Sequence, residues 1–301
     1  MTPCQNNNGG VIHFKIKRRQ FNIKAMKIIY RNFTKLLSTG TFGGEYTLEP
    51  MSKYKWNKLL SIAETYGVSD FVNYGIIKTG NTAIPANIYE RAKNQTCHPE
   101  NQRNEVSEEQ NFAIGKQTKK FSNPYLNNRY GKLVFNEIHN IDTSINSLVL
   151  LDKLINNTNN LLDYGVNIRK LADLGAYLRT YGNKIDFIKI ENWIKVLKIN
   201  KICDFICCHL VALFHFEKEE LPFFNISNDK YIHCINDALE FNKDIVKTQT
   251  WHQETDNTEE GTINPIHKPN THPLRYFSLI PIEASSRFIA NIIKSLSNID
   301  E

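Results

Sequence analysis

The chain has 301 residues, 41% of them hydrophobic and 23% charged, with six cysteines and a formal charge of +6. That balance excludes collagen-like, coiled-coil and disulfide-rich classes and fits a globular protein with enough apolar side chains for a core. No apolar stretch approaches the ~20 residues a membrane helix needs, so no membrane span is expected.

The charge is concentrated at one end. Residues 1–40 hold Lys15, Lys17, Arg18, Arg19, Lys24, Lys27, Arg31 and Lys35 with no acidic residue, so the rest of the chain is mildly acidic. Such an arm can contact phosphates, and Lys15, Lys17, Arg18 and Arg19 are its densest cluster. No aromatic platform accompanies it, so a solvated extension over 1–25 is the simpler reading. No apolar segment follows the charges, so a signal peptide is not expected.

From Met26 onward the pattern is helical. KIIYRNFTKLLS repeats apolar residues at helical spacing, and the loop STGTFGGEYTLEP is expected to follow. Ser52 is placed as the cap of a second helix with Trp56, Leu59, Leu60, Ala63 and Tyr66 on one side. Residues 68–77 form a third. A weak helical patch lies at 88–92, but 94–123 is polar and aperiodic and reads as a mobile connector. After Pro124 come helices through Ile138, over 145–162, up to Gly182, over 187–197, 200–215, 229–248 and 283–298. Asp142, Thr143 or Ser144, and then Asp186, are placed as caps, and Gly165 and Gly182 as stops. Short turns between neighbours predict antiparallel packing. The expected fold is all-α: an extension over 1–25, a small N-terminal lobe over 26–93, the connector over 94–123, and a larger bundle over 124–301.

Chemistry-bearing motifs are sparse. GxGxxG, the P-loop, GxSxG and HExxH are all missing. No CxxC occurs among the cysteines at 4, 97, 203, 207, 208 and 234. Cys203 and Cys207 share a helical face near His209, yet a buried, reduced pair in a cytoplasmic protein accounts for them more simply than a metal site. His209 and His215 read as core histidines, and His139 as part of a helix end. No cofactor, metal ligand or catalytic residue is assigned. One constellation stands out: Arg169 and Asp173 are four apart on a helix, with Tyr177, Arg179 and Tyr181 beyond. It can grip an anion, or it can be an ion pair that fixes helix against helix.

Several segments resemble a family of uncharacterised bacterial nucleotidyltransferase-like proteins. The likeness is carried by Leu36, Leu37 and Gly40, by Trp56, and by Ala63, Val68 and Gly75. It continues through Gly165, Arg169 and Asp173 to Pro281, Glu283 and Ala284, and covers half of the chain. The resemblance implies a helical frame around a strand-containing core whose Asp-x-Asp pair holds divalent metal for nucleotidyl transfer. That core is what this chain lacks. Residues 79–130 contain no aspartate, and no Asp-x-Asp occurs anywhere. Glu105, Glu108 and Glu109 are a charge run in a polar stretch, so productive binding of a Mg²⁺–nucleoside triphosphate is not expected.

The leading expectation is therefore a non-catalytic, cytoplasmic helical protein that binds or regulates another protein. Two alternatives compete. One is an enzyme, in one version half of a split nucleotidyltransferase, with a site built from Arg169, Asp173, Tyr177 and Glu137. The other is nucleic-acid binding through the basic segment.

Overall fold

The computed structural model describes residues 28–80, 84–95, 120–224 and 272–297. The basic extension with Lys15, Lys17, Arg18 and Arg19, most of the expected connector, the Glu105–Glu109 run and the expected helix over 229–248 lie outside these residues.

Among the described residues there are eleven α-helices and no strand, so the fold is all-α. The helices are α1 (Ile28–Phe42), α2 (Lys53–Thr65), α3 (Ser69–Thr79), α4 (Ala86–Gln95), α5 (Pro124–Ile138), α6 (Ile145–Tyr164), α7 (Ile168–Tyr181), α8 (Phe187–Leu197) and α9 (Asn200–Phe214). The one-turn α10 (His272–Arg275) and α11 (Pro281–Ser297) follow. No helix among the described residues is long and apolar enough to cross a membrane.

The helix ends show which expected signals act. Asp186 accepts from Lys189 N at 3.0 Å, and Asn123 accepts from both Tyr125 N and Leu126 N, so each caps its helix with its side chain. Ser52 and Ser144 occupy cap positions without a side-chain cap bond. Gly165 stops α6 at φ 92°, whereas Gly182 stays right-handed and leads into a short 3₁₀ turn. The first helix also outruns its expected end at Ser38 and continues to Phe42.

The reason is packing. A Cβ on Gly40 would stand 1.8 Å from the carbonyl oxygen of Phe71, and one on Gly75 would stand 2.2 Å from that of Leu36. Helices α1 and α3 therefore meet backbone to backbone, and only glycine fits at both crossing points. Helix α1 also runs into the bundle: Ser38 Oγ donates to Phe214 O at 3.3 Å, and the Phe42 ring meets Phe214 and Phe216 edge-on. The expected lobe and bundle thus share one continuous core rather than standing apart.

Helix α11 is fastened by a buried ionic network. The Glu283 carboxylate is fully buried and accepts from Ser122 N (2.7 Å), Asn123 N (3.0 Å) and Arg287 Nε (2.9 Å). Arg287 then donates from Nη1 to Asp163 and from Nη2 to Asn159, each at 2.6 Å. One carboxylate thereby joins the start of α5 to α11, and one guanidinium joins α11 to the end of α6.

In α9, Cys203 and Cys207 are buried free thiols whose ionisation burial pushes up, so they pack as apolar groups. Cys208 departs from the expected reduced state: it is disulfide-bonded. His209 is the core histidine the sequence suggested, 1% exposed, with Nδ1 2.9 Å from Phe205 O. That contact makes Nδ1 the protonated nitrogen, and Nε2 is left buried without a partner. Burial pushes its pKa from 6.5 down to about 4, so the unfolded chain takes up a proton first as the pH falls. Stability is then full above pH 6.5 and is lost as the pH falls toward about 4, by about 3 kcal/mol in all. Urea unfolding across this window should show a steep fall for the native chain and a flatter one for His209→Gln. Parallel curves would show that His209 is not the group responsible.

Candidate functional site

The helix singled out by the sequence turns out to be a packing seam. Arg169 pairs with Asp70 at 3.0 Å, donates to Gly67 O at 3.3 Å and lies 5.2 Å over the Phe71 ring. It fastens α7 to the start of α3. Asp173 is exposed, and its charge supports that of Lys153, whose pKa is lowered chiefly by burial. The Lys153 ammonium sits 5.3 Å over the Tyr177 ring, and the Tyr177 hydroxyl donates to Asn146 O at 3.0 Å. Burial pushes the Tyr177 phenol well up, so it stays a neutral donor. These contacts join α7 to α6 and α3 instead of gathering the three residues around an open anion grip.

Glu137 belongs to another corner. It is buried at the end of α5, where it accepts from Ser144 N and from Lys189 Nζ, both at 2.8 Å. Hydrogen bonding to Glu137 raises the Lys189 pKa, so the ammonium stays charged. Lys189 also donates to Asp142 O, Thr143 Oγ1 donates to Glu137 O, and Asp186 N donates to Ser147 Oγ. The turn between α5 and α6 is therefore braced from within and from the start of α8.

Around this brace stands a set of bare apolar side chains. Phe135, Ile138, Ile141, Ile145 and Ile188 are all exposed, Ile188 at 75% and Ile141 fully. Each lies within three residues of Glu137, Asp142, Ser144 or Lys189, the groups bonded together beneath them. Helical spacing makes Ile138 and Ile145 look like inward positions, and the structure turns them outward. The only signal in the sequence is the density of Ile138, Ile141 and Ile145 about a polar turn.

A second cluster lies where α1, α7 and α9 end. His215, expected in the core, is instead an exposed residue that closes α9 in the left-handed conformation at φ 56°. Its ring lies 5.2 Å from that of Tyr46, whose hydroxyl is 3.3 Å from Ser38 Oγ. Asn32 holds the loop of Tyr46 in place through two bonds to the Glu49 backbone. The Arg179 guanidinium lies against Phe42 and Phe216, 4.4 and 4.2 Å from their centroids, and pairs with Glu220 at 2.8 Å. Lys35 donates to Thr47 O at 2.8 Å. Partial burial and then the charges of Lys35 and Arg179 push the His215 pKa below its usual value, so the imidazole is neutral at pH 7.

Among the described residues no group of three or more His, Cys, Asp or Glu side chains is placed to hold a metal ion. No family model matches the chain, and no curated protein or solved structure matches it either.

Proposed function

We propose that this protein is a non-catalytic helical binding protein whose docking face is the apolar set around the Glu137–Lys189 pair, and that the face is taken by a second copy of the chain. The observation that carries the reading is the exposure of five large apolar side chains on a turn held rigid from below. Single exposed apolar residues are ordinary on a monomer, whereas large apolar groups bared together mark a surface that another molecule covers. A stable interface buries about 800 Å² per partner, with apolar residues at its centre and polar ones at its rim. An isologous pairing needs only one such face, since the patch then covers itself.

The frame is read as akin to the nucleotidyltransferase-like proteins without their core. Three residues of the resembling motifs support this: Gly40 and Gly75 form the α1–α3 crossing, and Glu283 anchors α11. A cytoplasmic setting fits the free thiols Cys203 and Cys207, while the Cys208 bond favours an oxidising one.

Sedimentation velocity across a concentration series tests the pairing. The native chain should form a dimer, and Ile141→Asp with Ile188→Asp should be a monomer with an unchanged melting temperature, because both side chains are already in solvent. A native chain that stays monomeric throughout would contradict the reading.

A further inference from the structure

We propose that the cluster of Lys35, Tyr46, Arg179 and His215 is a binding site for the phosphate group of a small molecule. It is independent of the docking face, which is built from α5, the turn after it, α6 and the start of α8. The cluster joins four separate pieces of chain, and each presents a donor.

The His215 imidazole nitrogens make no hydrogen bond among the described residues, and the ring is carried by the left-handed residue that closes α9. Arg179 uses Nε and Nη2 on Glu220, which leaves Nη1 for an acceptor. Its guanidinium rests against both the Phe42 and the Phe216 ring. The narrow seat depends on Gly175, where a Cβ would stand 2.9 Å from Phe42 and 3.1 Å from Phe216. Lys35 has bonded only one of its protons, to Thr47 O. Its nearest carboxylate, Glu49, lies at 3.9 Å and is already engaged by Arg31.

The charges decide which ligand fits. Glu220 pairs with Arg179 and Glu49 pairs with Arg31, and Lys35 reaches Glu49 only at 3.9 Å. Burial lowers the His215 pKa most, and the charges of Lys35 and Arg179 lower it further, so both cations are felt at the ring. An anion here offsets those charges and accepts from Arg179, Lys35 and the imidazole together. A guanidinium, an ammonium and an imidazole carried by separate segments suit an oxyanion with several acceptor oxygens better than a planar carboxylate. The site is open to solvent at His215, while Lys35 and Arg179 are about three-quarters covered, which favours a small ligand whose phosphate enters first.

The test follows the His215 ring by NMR in the full chain, at constant ionic strength, with inorganic phosphate and glycerol 3-phosphate as probes and chloride as the control. Bound phosphate stabilises the imidazolium, so the His215 titration midpoint should rise by about one unit in either probe but not in chloride. Lys35→Met should weaken binding about tenfold, and His215→Asn, which keeps the left-handed backbone, should weaken it severalfold. Tighter binding of the ester identifies a small organophosphate as the ligand, and tighter binding of the free ion identifies inorganic phosphate. The proposal is overturned if the midpoint is the same in phosphate and chloride, or if Lys35→Met leaves the rise intact. Neither result bears on dimerisation.

Discussion

Glu283→Ala should destabilise the protein by about 3–5 kcal/mol, the largest loss expected of any single side chain here. The substitution leaves the Arg287 guanidinium buried with one of its two acidic partners gone, and it strands the amides of Ser122 and Asn123. Two of these groups belong to the start of α5, so the damage spreads from α11 to the segment that leads into the bundle. Glu283→Gln offers a sharper comparison, because its carbonyl oxygen still accepts one amide while the charge is lost. It should fall between the native chain and the alanine variant in urea-unfolding free energy. A loss below about 1 kcal/mol for Glu283→Ala would mean that water reaches the network and replaces the carboxylate.

Gly75→Ala and Gly40→Ala should each cost about 3 kcal/mol or more, from the addition of one methyl group. The new Cβ would lie 2.2 Å from Leu36 O in the first case and 1.8 Å from Phe71 O in the second. Both obstacles are backbone atoms, so relief requires the whole of α1 and α3 to part. Helix propensity alone works the other way, since alanine is favoured over glycine in a helix by ~1 kcal/mol. The sign of the change in melting temperature therefore separates the two effects. Gly182→Ala is the control: a Cβ there meets nothing within 4 Å, and the residue is already right-handed. It should leave stability nearly unchanged. A double variant Gly40→Ala/Gly75→Ala should lose less than the sum of the single variants, because the first methyl already forces the helices apart.

The helical frame was legible because each helix buries one face, and that face repeats at helical spacing. Trp56, Leu59, Leu60 and Ala63 of α2 are buried as their spacing demands. Asp186 and Gly165 mark helix ends because each acts locally, one by a side-chain bond and one by a backbone angle. Long-range partners left no such trace. Arg169 invites pairing with Asp173 one turn away, but Asp70, about a hundred residues upstream, is the partner that ties α7 to α3. Spacing cannot distinguish an apolar residue that faces the core from one that faces solvent at a helix end. Ile138 and Ile145 look inward for that reason and point outward. The His215 cluster was hidden more completely, since it depends on the loop of Tyr46 reaching the end of a helix some 170 residues later.

In the proposed dimer the face around Glu137 and Lys189 is covered by a second copy of the chain. Isoleucine methyl NMR along a dilution series reads that contact residue by residue. Ile138, Ile141, Ile145 and Ile188 should shift together as the dimer dissociates. Ile289 and Ile293, exposed on one side of α11, serve as the competing apolar face and should stay fixed. Movement of Ile289 and Ile293 with the other four fixed, or no movement in either group, would contradict the assignment.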